Sequence, residues 1–484
     1  NGKLDRAALP DREEVRTEFV APQGLEEVTV AQVWAEVLGL ERVGREDNFF
    51  HLGGDSLLGA RLVFRLREVF KCEIPLRELF RCQTVGELAA ALASPERAPA
   101  QRAEPSQLPV PSARGPRKQG SPPWPHPLPP RARHHGDNVL LTGVTGFFGA
   151  FLLREILTQH PGMVHCLVRA NSARQGWDRL RANLERYGLS KEVLPRDRIR
   201  VVVGDLACPR LDLRDTEYER LADEIDLIIH NGAHVDALHS YETLEAANVN
   251  GTRELLFLAA TTWCKPLRFV STSGAAGYHP AVPGNDSGYV ESKWRAEQVV
   301  AEARTHSIPA TIYRVPRLMG DSETGRGNDR DILVRVIRCI LELGTAPNIE
   351  LSEDWIPVDE AARLLVGHNP GPGHEGSFVL TAQRRASLTE IVEQARRIGH
   401  KIEYKPSLEW HRDIARRSVE EYEVLAAVLS LDSVSDPLNK RSSIPQDKKP
   451  LDGFVPIVAR GVTEQVLRQY LRTMSTTSPV GTTS

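Results

Sequence analysis

The segment NVLLTGVTGFFGAFLLREIL, residues 138–157, restricts the fold more than any other stretch of the chain. An apolar strand passes through a glycine-punctuated turn directly into an amphipathic helix, and a second apolar strand, MVHCLVRA, follows at the distance of one strand–helix–strand unit. Parallel neighbours need a crossover of a dozen or more residues, usually a helix. Further strand-like runs IRVVVGDL, IDLIIHNGA and LRFVSTS are each set apart by a helix-length segment. The predicted class for this part is α/β, a doubly wound parallel sheet with a smaller C-terminal substrate subdomain.

The chain has 484 residues, too many for one core. Proline, arginine and small residues crowd 94–136, without helical or strand period, so this stretch reads as a linker between two folded units. As a flexible coil it would span roughly 35 Å root-mean-square. Its basic runs RGPRK and RARHH read as solvated. The expected division is a short leading stretch at 1–20, a first folded unit at 21–93, the linker, a second unit at 137–474 whose strand–helix core runs over about 137–320, and a disordered tail at 475–484.

Charge and hydropathy exclude several roles. A formal net charge of -3 gives no basic field for nucleic acid, and no run of eighteen apolar residues could cross a bilayer. The six cysteines are scattered, without zinc spacing or disulfide density, which predicts no metal and a reducing, cytoplasmic setting. The chain begins at Asn1 without methionine or an apolar signal core, so it reads as a piece of something longer.

The first unit shows helical apolar spacing in VTVAQVWAEVLGL and LLGARLVFRLREVF, with shorter helical pieces near 76–80 and 85–92: an α-helical bundle. Between the long helices lies DNFFHLGGDSLLGARL, which puts Ser56 at a helix amino terminus, where an attached phosphodiester would meet free amides and the positive end of the helix dipole. A plain helix cap is the other reading of Ser56. His51 reads as a packing or capping residue.

In the second unit, Gly143, Gly146 and Gly149 would let the backbone approach a pyrophosphate at the following helix, with Thr145, Phe147 and Phe148 in the same turn. The second strand ends in Arg169 where an acidic residue would bind an adenosine ribose; arginine there, with Arg179 assisting, favours a 2'-phosphate and hence NADPH. Ligands in such sheets lie at the carboxyl ends of strands. This places Asp205 and Leu206 at the adenine, and Asn231, Gly232 and Ala233 along the phosphates and ribose.

The reactive chemistry falls in STSGAAGYHPAVPGNDSGYVESKWRAEQVV. Tyr289 and Lys293 share one helix face at a spacing of four. An ammonium near a phenol lowers the phenol's pKa, so the expectation is a tyrosine able to act as general acid near neutrality, with the lysine also holding the nicotinamide ribose. Thr272 or Ser273, at the end of the preceding strand, supplies a hydroxyl for the substrate oxygen. A bare pair at this spacing is common by chance; the glycine turn and hydroxyl-bearing strand end upstream give it meaning.

FFHLGGDSL resembles the attachment motif of peptidyl carrier domains of nonribosomal peptide synthetases, which implies 4'-phosphopantetheine on Ser56, added by a phosphopantetheinyl transferase. NGKLDRAALP resembles the last motif of an adenylation domain, with Lys3 as its lysine. TGVTGFFG, LVRA, VNGT, GYVESKW and IPVDEAARLLV resemble the extended short-chain dehydrogenase/reductase family, Rossmann-type in fold, and within it the thioester reductase branch. That resemblance covers about 138–367 and implies Thr272, Tyr289 and Lys293 as the catalytic set and Asn328 and Asp331 as substrate-side residues. Two departures stand out: Tyr313-Arg314-Val315-Pro316 replaces the family's usual Tyr-Arg-Pro-Gly, and the segment from Thr272 to Tyr289 is shorter than usual.

The function so implied is reductive release: NADPH-dependent reduction of an acyl or peptidyl thioester on the arm at Ser56 to an aldehyde or onward to an alcohol, with adenylation and condensation domains upstream as partners. Three rivals are an epimerase or ketoreductase acting on a free substrate, a non-redox terminal cyclase, and a docking module without catalysis. Retention of Tyr289 argues against the cyclase.

Overall fold

The structure is a computed structural model. It describes residues 20–38, 42–49, 82–93, 137–189, 195–235, 241–278, 287–329, 331–349, 351–371, 376–407 and 454–476, and single positions between them that include Leu62, Leu66, Ile74, Leu79, Trp124 and Trp410. Ser56, His51 and Lys3 lie outside the described residues. The chain divides into two units: the described residues up to Ala93 belong to the first, and Trp124 to Trp410 with the segment from Phe454 onward to the second.

Helical packing builds the first unit. Helix α1 (Gly24–Leu38) turns Val30, Val33, Trp34 and Val37 inward at helical spacing. They join buried Leu62, Val63, Leu66, Ile74 and Leu79, and Val85 and Leu88 of α2 (Val85–Ala93). The Trp34 ring meets Phe49 edge-on at 5.2 Å between centroids, and a bridge from Asn48 to Thr84 ties the loop before residue 50 to the start of α2.

An eight-stranded sheet dominates the second unit. Its strands are β1 (Val139–Thr142), β2 (Val164–Val168), β3 (Ile199–Val203), β4 (Leu227–His230), β5 (Leu267–Thr272), β6 (Ala310–Val315), β7 (Ser377–Ala382) and β8 (Phe454–Ala459), in the order β8-β7-β6-β5-β4-β1-β2-β3 and parallel throughout. The order reverses at β1, so a crevice opens beyond the carboxyl ends of β1 and β4. Each interior strand is apolar on both faces, as a doubly covered sheet requires. Val139 and Leu141 of β1 pack on one side with α3 (Phe147–Gln159), α4 (Ala173–Arg186) and α10 (Val358–Gly367). Leu140 packs on the other with α5 (Asp215–Glu224), α7 (Gly251–Ala259) and α8 (Gly288–Thr305). A short helix, α6 (Tyr241–Glu245), runs into α7 through a π turn at Ala246–Asn250.

The sheet does not stop at residue 320, where the sequence suggested a change of subdomain: β7 and β8 extend it with chain from far downstream. Their sequences, SFVLTA and FVPIVA, are short and lie far from the repeating strand–helix pattern, so periodicity alone did not join them to the core. Helices α9 (Ile332–Leu343), α11 (Leu388–Arg397) and α12 (Glu464–Thr476), with three two-stranded pairings, make up the remainder.

Two polar features inside this unit are structural. Arg314 on β6 forms a two-pronged ion pair with Glu297 of α8 at 3.0 and 2.7 Å, Ser271 donates to the same carboxylate at 2.5 Å, and the guanidinium lies 3.7 Å from the centre of the Phe454 ring. All three polar residues are buried. The second concerns Trp124, within 94–136. It is 6% exposed, packed on α7 and α8, which departs from a wholly solvated linker at that position. Burying an indole removes roughly 150–250 Å² of surface from water, worth several times the ~1–2 kcal/mol needed to fix one residue's backbone.

No described helix is long and apolar enough to cross a membrane, and the described residues hold no cluster of three or more His, Cys, Asp or Glu arranged for a metal. Removing one partner of the buried pair leaves the other charged and unpaired, so Glu297→Ala should lower stability by ~3–5 kcal/mol, whereas replacing Glu297 and Arg314 together by methionine should restore most of it. Denaturant unfolding of the two variants checks this.

Candidate active site at the carboxyl ends of the strands

The turn after β1 and the end of β4 approach each other so closely that only glycine fits. Gly143 has a left-handed φ of 72°, and a Cβ there would lie 2.7 Å from the Gly232 amide nitrogen. On the next turn of chain, a Cβ at Gly149 would lie 2.7 Å from the Gly143 carbonyl carbon, so the first turn of α3 sits directly on the loop. Gly146 caps α3 without a side chain, leaving the helix's amino-terminal amides open to an anion. Asn183 of α4 braces the loop from outside, its amide donating to the carbonyls of Val144 and Gly146 at 3.0 Å each. Asn231 reaches the Gly143 carbonyl at 3.5 Å. This cradle fits a dinucleotide pyrophosphate: close backbone approach, an uncapped helix start, and no acidic side chain in the turn.

A buried relay beneath the cradle sets its shape. The Gly232 amide donates to Thr142 Oγ1 at 2.8 Å, and Thr142 Oγ1 lies 2.8 Å from His230 Nδ1. His230 Nε2 lies 3.0 Å from Thr252 Oγ1, which in turn donates to the Asn248 carbonyl at 2.6 Å. Every donor finds an acceptor if His230 carries its proton on Nε2. The imidazole is therefore neutral, and burial, with Lys293 nearby, pushes its pKa well below the ordinary value.

At the carboxyl end of β2, where the sequence placed the adenosine, Arg169 is exposed, and Arg179 of α4 donates to the Arg169 carbonyl. Two exposed cations thus stand together at the carboxyl end of β2. The Asp205 carboxylate accepts from the Ala207 amide at 2.9 Å, closing the turn after β3, and Leu206 packs against the core with its carbonyl close under Gly251. Thr145 lies in the turn after β1, Phe147 and Phe148 open α3, and Ala233 lies in the loop after β4. The Phe147 ring meets Tyr187 at a tilt, 5.0 Å between centroids, and Phe148 is buried in the core beneath the turn, which gives it a packing role.

The three residues expected to carry the chemistry, Thr272, Tyr289 and Lys293, lie at the end of β5 and in the first turns of α8. Thr272 ends β5, level with Val315 of β6, and its hydroxyl accepts from the Gly274 amide at 3.3 Å as it caps a short 3-10 turn. Ser287 caps α8, which begins one residue before Tyr289. Lys293 is buried, its ammonium donating to the Val270 carbonyl at 2.6 Å and lying 4.2 Å from the centre of the Phe269 ring. That contact draws the start of α8 against the strand end carrying Thr272.

The electrostatics differ from the expectation in one respect. Burial pushes the Tyr289 phenol up to about 12, not down. The same burial brings Lys293 down to about 7, only partly opposed by Glu297 four residues along, so its ammonium is not a dependable charge for acidifying the tyrosine. Tyr289 is thus a neutral phenol across the physiological range, a hydrogen-bond donor.

Asn248, in the π turn, passed unremarked in the sequence although its VNGT context did not. Its carboxamide accepts from the His234 amide at 2.7 Å and donates to the His234 carbonyl at 3.1 Å and to Ser292 Oγ at 2.9 Å, while Ser292 donates to the Tyr289 carbonyl at 2.8 Å. It joins the loop after β4 to the helix carrying Tyr289. Single-turn π insertions gather at functional sites, but no sequence pattern announces one. Asp331 is already committed to structure: it caps α9 and pairs with Arg317 at 3.0 Å, with Asn328 supplying a carbonyl to the Asp331 amide. Val315 is buried in β6, with Pro316 ending the strand. Half of the segment between Thr272 and Tyr289, residues 279–286, lies outside the described residues.

Comparison with known proteins agrees with both halves. Residues 141–365 match the family described as male sterility protein, an NAD-binding family, and residues 28–92 match the family described as phosphopantetheine attachment site. A linear gramicidin synthase from Brevibacillus parabrevis is 38% identical over 439 residues, covering 85% of this chain; the chain spans 8% of that protein's length. The crystal structure of the terminal R domain from the myxalamid PKS-NRPS pathway is 31% identical, with a TM-score of 0.61, covering 72% of this chain and 93% of that one. A thiolation-reductase di-domain from an archaeal non-ribosomal peptide synthetase shares the fold over 95% of this chain and 99% of its own, with a TM-score of 0.70 at 21% identity. The phosphate cradle, the Thr272, Tyr289 and Lys293 arrangement and these likenesses together place the chain in the family of terminal reductase domains of nonribosomal peptide synthetases, here preceded by a phosphopantetheine-attachment domain.

Proposed function

We propose that this chain releases an acyl or peptidyl group, held as a thioester on 4'-phosphopantetheine at Ser56, by NADPH-dependent reduction to an aldehyde. The observation that most supports this reading is the Lys293 contact to Val270, which gathers Thr272 and Tyr289 at the carboxyl edge of the sheet beside an anion-ready glycine turn.

Gly143, Gly146, Gly149, Asn231 and Gly232 would hold the pyrophosphate, and Arg169 with Arg179 the adenosine 2'-phosphate, which is the ground for NADPH over NADH. Bound there, the cofactor supplies a hydride. Thr272 and Tyr289 orient the thioester oxygen and stabilise the negative charge it gains, a contribution of ~3–4 kcal/mol for a single well-placed donor. A phenol held near 12 keeps its proton until the oxygen demands it. One hydride and one proton enter, the carbon–sulfur bond breaks, the aldehyde departs, and the thiol stays on the arm. A phosphopantetheinyl transferase supplies the arm, adenylation and condensation domains load it, and the setting is the cytoplasm.

Tyr289→Phe should slow NADPH oxidation with an acyl-loaded carrier by ~100-fold or more while leaving NADPH binding within twofold, as read by stopped-flow absorbance and cofactor fluorescence; unchanged turnover contradicts the role. A charge-assisted bond to a phosphate is worth ~1.5–3 kcal/mol, so Arg169→Glu should cut the preference for NADPH over NADH by ~10–100-fold, measured as the ratio of kcat/KM values. An unchanged ratio removes Arg169 from the cofactor site.

A further inference from the structure

We propose that Trp124 anchors the linker to the reductase and so sets where the carrier's tether begins. This rests on the reading that the substrate arrives on the carrier.

Trp124 sits fourteen places before Asn138, far from the nearest strand in sequence, yet it is a core residue of the second unit. Its ring packs on Phe257 of α7 at 5.0 Å and on His306 at the end of α8 at 6.1 Å. The indole N–H donates to Glu302 of α8 at 3.1 Å. Arg253 of α7 lies 5.6 Å from the ring centre and pairs with Glu302 at 3.8 Å, so the seat holds apolar, hydrogen-bonding and cationic contacts at once. A solvated linker has no use for such a seat. Tryptophan also has few rotatable bonds, which keeps the entropic cost of docking small relative to the area it buries.

The consequence is geometric. Without the anchor the tether would run ~43 residues, to the first strand; with it, the span between the carrier's last helix and the first fixed point is ~30 residues. Effective concentration falls roughly as the -3/2 power of length, so releasing Trp124 should dilute the carrier about twofold at the reductase from length alone. The tether's root would also move from the α7–α8 side to the start of β1. Trp124 is thus a positioning residue, its contacts being with α7 and the carboxyl-terminal end of α8.

The test uses the full chain, phosphopantetheinylated at Ser56 and loaded from an acyl-coenzyme A, beside the same acyl group on free pantetheine. Trp124→Ala should slow single-turnover reduction of the carrier-bound group by twofold or more and leave kcat/KM for the free thioester unchanged, with Trp124→Phe close to the parent. Trypsin should cut after Arg131 and Arg133 faster in Trp124→Ala. Equal single-turnover rates in the two proteins overturn the proposal, as does an equal loss on both substrates, which would mark a purely structural tryptophan. If the parent protein reduces the free thioester but not the loaded carrier, the reading of tethered delivery fails and the anchor's role fails with it.

Discussion

The backbone contact between the turn after β1 and the end of β4 is the constraint on which the rest of the site depends. No side chain fits between Gly143 and Gly232, and none fits between Gly149 and the same turn. Once these surfaces touch, the amino terminus of α3 points at the crevice, the Gly232 amide is held by Thr142, and the Thr142–His230–Thr252–Asn248 relay carries that position to the π turn. Asn248 then reaches α8 through Ser292. The glycine turn and the helix carrying Tyr289 are therefore parts of one hydrogen-bonded assembly.

Burial sets how the site's titratable groups behave. A phenol and an ammonium withdrawn from water both move towards their neutral forms, Tyr289 up to about 12 and Lys293 down to about 7. The pair reads as a proton-bearing donor and a lysine aimed at the Val270 carbonyl. Ionic character is concentrated one helical turn away, where Arg314 and Glu297 neutralise each other and Phe454 covers the guanidinium. That pair ties the downstream strand β8 to the helix bearing Tyr289 and Lys293, which explains why chain so distant in sequence belongs to the core.

Much of the fold was legible because parallel sheets write themselves as repeated apolar runs: the runs containing β1 to β5 stood out, and the glycine turn marked the crevice. The local spacing of Tyr289 and Lys293, and the strand end at Thr272, were equally plain. What stayed hidden depends on distance through space. Asn183 and Asn248 are ordinary polar letters until the loops they brace are folded beside them. The upward shift of Tyr289 follows from burial that spacing does not reveal. Strands β7 and β8 lack a repeating context, and Trp124 was lost in a proline-rich stretch whose composition argues for solvent while one large ring argues for a seat. In each case a local pattern competed with a tertiary contact, and the tertiary contact prevailed.

The most direct test of the account is the fate of one acyl group loaded on Ser56. Intact-protein mass spectrometry of the loaded chain, before and after NADPH, should show loss of the acyl mass with the phosphopantetheine thiol retained, and one aldehyde formed for each NADPH oxidised, or an alcohol with two. Release of a carboxylic acid or a cyclic product without NADPH oxidation, or a loaded chain unchanged by NADPH, would contradict it.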